Sequence, residues 1–109
     1  MNQLHKKDAD MLFEAMLSLQ DTEEFHRFFE DICTIKELQA MVQRFQVACQ
    51  LDAGRNYNQV SADTGASSAT VCRVNKCLLY GNGGYRTALE RLKKTGVIPY
   101  EDGKNDPQA

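Results

Sequence analysis

The chain has 109 residues, room for one domain and too little for two ordinary ones. No apolar run approaches the roughly 20 residues that cross a bilayer, and the start MNQLHKKDAD lacks the apolar stretch of a secretory leader, so a cytoplasmic protein with no membrane partner is expected. The net charge of −2 argues at first against nucleic acid, and Cys33, Cys49, Cys72 and Cys77 form neither a C-x-x-C pair nor a Cys/His cluster, which points to reduced thiols packed as small hydrophobes and to no metal site.

The first pattern runs from about Asp8 to Leu19, where Met11, Leu12, Ala15, Met16 and Leu19 fall on one helical face. Asp21-Thr22-Glu23-Glu24 then reads as a capping box. It opens a helix that carries Phe25, Phe28, Phe29 and Ile32 on one stripe. Three phenylalanines in five residues exceed what a short helix hides alone, so they pack either in the core or against a second subunit. A further box, Thr34-Ile35-Lys36-Glu37, starts the longest helix, about Ile35 to Ala53. Leu38, Met41, Val42, Phe45, Ala48, Cys49 and Leu51 recur there at steps of three and four, which predicts one wide buried face. Gly54 suits a left-handed stop. Short helices follow at about Tyr57–Thr64 and Ser68–Leu79. Gly81-Asn82-Gly83-Gly84 breaks the chain, and a last helix spans Tyr85 to Lys94 with Ala88, Leu89 and Leu92 inward. Gly96 ends it, and 97–109 reads as a flexible tail.

Charge is distributed unevenly along these elements. Residues 1–53 carry five basic and ten acidic side chains, and 95–109 carry one and three. Residues 54–94 carry seven basic and only two acidic side chains, Asp63 and Glu90. Phosphate binding depends on the field at the contact surface, so the whole-chain sum does not decide it.

The stretch Tyr57 to Lys76 has the pattern of a helix-turn-helix, two short helices joined through a tight turn. Gly65 falls where the turn needs positive φ. Ser61 is the small residue at the closest approach of the helices, and Val60, Thr64, Val71 and Val74 face inward. Asn56 with Gln59 can cap the first helix, and Ser67 the second. The outward positions are then Ser67, Ser68, Ala69, Cys72, Arg73 and Lys76. They form a small, polar N-terminal face that suits a major groove about 12 Å wide, with two cations farther along.

From about Phe25 to Leu92 the chain resembles the Trp repressor superfamily, most closely its YerC/YecD-like branch. The resemblance is carried by Glu37-Leu38 through Arg44, by Leu51-Asp52-Ala53-Gly54, by Thr64 through Val74, and by Tyr80-Gly81-Asn82-Gly83-Gly84-Tyr85. It implies an all-α, multi-helix fold with a helix-turn-helix, a homodimer whose N-terminal helices interlock, and a double-stranded DNA operator as partner. It places base-reading residues at Asn58, Ser68, Ala69 and Cys72. Small residues there are compatible with reading, because many base contacts of the parent repressor run through water. The parent also holds tryptophan between two arginines. Arg44, Thr70 and Arg73 match that pocket, while Val74 replaces the glycine that makes room for the indole and Cys77 replaces a serine. The resemblance thus allows a small-molecule effector at Arg44, Thr70, Arg73, Val74 and Cys77, but argues against tryptophan and implies no obligatory cofactor.

The sequence therefore predicts a single helical DNA-binding domain over 1–96, with dimerisation helices at 8–53, the helix-turn-helix at 57–79 and a C-terminal helix at 85–94. Its predicted function is that of a sequence-specific, non-enzymatic transcription regulator, most often a repressor in this superfamily. Two other readings remain open. The motif can serve as scaffold for protein interaction, or Cys72, on the reading face beside Arg73, can make the regulator a thiol-based redox sensor.

Overall fold

Local capping chemistry sets most helix boundaries of the computed structural model, which describes residues 5–99. Six helices and no strand occupy these residues: α1 (Lys6–Leu17), α2 (Thr22–Ile32), α3 (Ile35–Asp52), α4 (Tyr57–Thr64), α5 (Ser68–Tyr80) and α6 (Gly84–Lys94). None is long and apolar enough to cross a membrane. The backbone falls into two units divided between Leu38 and Gln39. Of the predicted tail, residues 100–109 lie outside the described residues.

In the N-terminal unit, α1 begins and ends two residues earlier than its apolar pattern suggests. Its last turn closes at Ser18, whose hydroxyl donates to the Ala15 carbonyl at 2.6 Å. The predicted box at α2 forms with a shift. Asp21 accepts the Glu24 amide at 2.9 Å, but the Glu24 carboxylate reaches back to the amide of Gln20 instead of Asp21. The three phenylalanines of α2 are half-buried and packed on one another, Phe25 stacked on Phe29 and Phe28 edge-on to it. Neither α1 nor α2 contains a fully buried residue.

The box at α3 is reciprocal, Thr34 Oγ1 accepting from the Glu37 amide and Glu37 Oε1 from the Thr34 amide. At the other end the amides of Gly54 and Arg55 return to the carbonyls of Leu51 and Gln50, the bonding of a Schellman stop. The burial pattern on α3 differs from the predicted stripe. Val47, which that stripe omits, is fully buried with Ala48, whereas Met41 and Val42 are exposed. Met41 precedes Ala48 by seven residues and so shares its face. Burial therefore changes along the α3 axis as well as around it, because α4, α5 and α6 supply apolar side chains only to its second half.

The core of the second unit consists of Val47, Ala48, Val60, Ala66, Val71, Val74, Leu78 and Leu89, with Phe45, Cys49, Leu51, Tyr85 and Ile98 packed against it. Thr64, expected inward, is only half-buried, and Ala66 joins the core instead. The reason is the threonine hydroxyl, which donates to the Val60 carbonyl and accepts from the Ala66 amide.

Two glycines are required here for different reasons. Gly65 has φ +74°, and a Cβ there would meet nothing closer than Gln43 Nε2 at 3.9 Å, so the requirement is conformational. Gly81 has negative φ, but a Cβ would collide with the Cys77 carbonyl. Gly65→Ala is expected to cost about 1–2 kcal/mol, and Gly65→Asn less, since asparagine tolerates the left-handed region. Gly81→Ala should cost more than Gly65→Ala, because backbone cannot yield as a flexible side chain does. Urea unfolding of the three variants checks the order.

Candidate nucleic-acid interface

A helix can read a groove only if one stripe holds it to the protein and the rest projects. In α5 the stripe is Val71, Val74 and Leu78, all buried and spaced by three and four. Ser68, Ala69, Arg73 and Lys76 are exposed, and Cys72 is half-buried at the border. Ser67, also exposed, caps the helix by accepting from the Thr70 amide at 3.1 Å, and its hydroxyl donates to Thr70 Oγ1. Asn58 is exposed on the first turn of α4. The seven positions singled out in the sequence thus lie on the surface of α4, the turn and α5.

The preceding turn, Gly65-Ala66-Ser67, is braced from both sides. Asn56 and Gln59 form the expected reciprocal box at the start of α4. Ser61, valued in the sequence for its size, also donates its hydroxyl to the Ala66 carbonyl at 2.6 Å. Gln43 of α3 donates its side-chain amide to the Thr64 carbonyl at 3.2 Å. Sequence reasoning missed Gln43, because the bond joins residues 21 positions apart and a surface-type glutamine carries no local signal.

Electrostatically, α5 contains two cations and no carboxylate. Asp63, the acid of α4, is paired with Arg55 at 3.2 Å. Among the described residues no ion pair engages Arg73 or Lys76. The amides at the α5 N-terminus add a partial positive charge on the same side. This surface suits a polyanion.

The residues matched to an effector pocket are not enclosed together. Arg44, Arg73 and Cys77 are exposed, Thr70 is half-buried, and Val74 is 2% exposed within the core. Cys77 lines an open groove of about 460 Å³ with Phe45, Gly81, Asn82, Gly84, Tyr85 and Ala88, which includes none of the other four. A smaller cavity of about 160 Å³ lies beside Cys49, Gln50, Asp52, Arg55 and Lys93. Burial, and after it the negative charge of Asp52, pushes the Cys49 thiol above its usual pKa. Among the described residues no group of three or more His, Cys, Asp or Glu side chains is placed to hold a metal ion.

The family model described as Trp repressor protein matches residues 7–93. The uncharacterized protein YerC of Bacillus subtilis strain 168 is 49% identical over 94 residues, covering 86% of this chain and 90% of YerC. A TrpR-like protein from Eubacterium eligens, solved by crystallography, superposes with a TM-score of 0.78 at 48% identity, covering 82% of this chain and 92% of its own. A Staphylococcus aureus crystal structure, described as that of a candidate Trp repressor, gives a TM-score of 0.78 at 39% identity, covering 82% and 89%.

The two sides of α5 should respond differently to truncation. Val74→Ala is expected to lower stability by about 2 kcal/mol, through two lost methyl groups and the space they leave. Arg73→Ala should fall within about 0.5 kcal/mol of wild type. Denaturant titration checks both. The thiols should alkylate in the order of access and ionisation, exposed Cys77 early and Cys49 last, since only the thiolate reacts. Mass spectrometry over a time course at neutral pH reads that order.

Proposed function

The chain belongs to the Trp repressor family, a family of regulators and not of enzymes, and on that premise we propose that it is a sequence-specific DNA-binding transcription regulator. It acts as a homodimer, most simply as a repressor, in the cytoplasm. One observation carries the reading: α5 is anchored by Val71, Val74 and Leu78 and turns a cationic, carboxylate-free surface outward. Asn58, Ser67, Ser68, Ala69 and Cys72 lie at the groove, and Arg73 and Lys76 meet phosphate. Backbone amides at the start of α5 suit phosphate as well. A protein-interaction scaffold would be favoured by an acidic or apolar face from Ser67 to Lys76, and this face is neither.

The dimer is supported by apolar surface that the N-terminal helices leave uncovered. Met11 is 75% and Leu17 77% exposed on α1, with Leu12 and Phe13 beside them, and Ile32 and Ile35 are exposed farther on. Patches of this kind mark interaction surfaces in water-exposed proteins. A dimer also matches the two-fold symmetry of the palindromic sites that helix-turn-helix proteins bind, with half-sites about one helical turn apart. The regulator proposed here works without tryptophan, because Val74 occupies core volume at the position matched to the indole-admitting glycine.

Gel shift across fragments of the source genome should give saturable retention of a subset, with affinity that falls steeply between two salt concentrations. No saturable, salt-sensitive retention on any fragment removes the proposal. Arg73→Ala should weaken binding to all sequences alike and flatten the salt dependence, whereas Ser68→Ala or Cys72→Ala should change sequence preference. The reverse pattern would mean that the faces are misassigned. Added tryptophan should leave affinity unchanged, and sedimentation should show a dimer at concentrations that saturate DNA.

A further inference from the structure

Arg86 lies on α6 (outside the proposed DNA-facing surface), yet its side chain reaches two other helices. Its Nε donates to the Leu78 carbonyl at 3.1 Å, and Nη1 donates to Asp52 Oδ1 at 3.2 Å. The Leu78 carbonyl belongs to the last turn of α5, where carbonyls have no partner within the helix and negative partial charge accumulates. Asp52 ends α3, and its side chain is only 11% exposed, with Lys93 of α6 on its other oxygen. One guanidinium thus ties the C-terminal end of α5 to α3 from a position on α6.

The other end of the motif is tied to α3 as well. Gln43 donates to the carbonyl of Thr64, the last residue of α4 before the turn. Gln43 and Asp52 stand nine residues apart on one helix, about 13 Å along its axis. Both tethers end on backbone carbonyls. They can therefore fix where α5 lies without using any of the side chains that face outward from it. The two differ in kind: the Gln43 bond joins neutral groups, whereas the Arg86 bonds are charge-assisted and depend on a planar fork that lysine lacks.

We propose that Arg86, clamped by Asp52, is a positioning residue of the DNA-reading site, setting the angle of α5 and hence the separation of the two reading helices in a dimer. The proposal rests on the regulator reading of the preceding subsection and adds to it the residue that determines tolerance for half-site spacing. The partner chemistry is duplex DNA with two half-sites, and the property controlled is their separation.

The test uses the full chain and a duplex selected by wild type, together with versions carrying one base pair added or removed between the half-sites. Wild type is expected to lose at least about tenfold in affinity on either altered spacing, because the half-sites shift along and around the duplex. Arg86→Gln should bind the parent duplex about tenfold more weakly and discriminate between spacings by no more than about threefold. Arg86→Lys should resemble Arg86→Gln, since an ammonium does not reproduce the two-acceptor fork. A purely structural role would lower the thermal midpoint and the active fraction, measured by stoichiometric titration, and leave the spacing ratio at its wild-type value. That ratio, unchanged in Arg86→Gln, overturns the positioning role alone. If Arg86→Gln does not fold, Asp52→Asn carries the same comparison with the same expected loss of discrimination, because it retains the Leu78 bond and removes the charge on which both Arg86 and Lys93 close. Wild-type protein that retains no duplex at all overturns both this proposal and the regulator reading.

Discussion

Between α4 and α5 the chain reverses in three residues, and side chains on either side take up polar groups that the reversal would strand. Ser61 donates to the Ala66 carbonyl, Thr64 accepts from the Ala66 amide, and Gln43 donates to the Thr64 carbonyl. A fully buried backbone group left unpaired costs on the order of 1–3 kcal/mol, and these groups are part-buried, so their partners stabilise the turn by a fraction of that each. The left-handed conformation of Gly65 provides the bend, and Ser67 restarts the helix immediately. Everything proposed for α5 follows from the direction in which it leaves this turn. Only in that direction do Val71, Val74 and Leu78 enter the core together while Arg73 and Lys76 project.

The same arrangement separates the core from the outward face of α5. The core of the second unit is apolar and uses no side chain of the outward face. Outward residues other than the capping Ser67 can therefore vary at small cost to folding. The polar tethers to α3 act through backbone carbonyls and are likewise indifferent to what the outward face carries. Asp52, itself only 11% exposed, gathers the half-exposed Arg86 and the more covered Lys93, and its charge also opposes ionisation of Cys49. In this setting Cys49 is a small hydrophobe.

The N-terminal unit presents the opposite balance. Its second helix is capped by Asp21 and the phenylalanines of α2 pack on one another, yet neither α1 nor α2 encloses a residue completely. Apolar surface of this extent is costly in water. A proposed partner subunit accounts for it and for the phenylalanine surplus together.

The sequence by itself determined the elements. Short-range chemistry marks them: the boxes at Thr34 and Asn56, the glycines at 54 and 65 and the serine at 67 act within four residues of themselves, so a linear pattern contains the whole interaction. The apolar spacing of α5 likewise predicted which side would be buried at Val71 and Val74. Periodicity could not say where along α3 burial begins, because covering Val47 while leaving Met41 open depends on which helices lie alongside. Nor could it give polar residues their roles. Gln43, Asp52 and Arg86 look like ordinary surface residues in the sequence, and only the tertiary structure brings them to carbonyls and carboxylates 8 to 34 positions away. A hydrogen bond between distant residues leaves no period behind it; its partners are chosen by the packing of whole helices, which is decided only once the chain has folded.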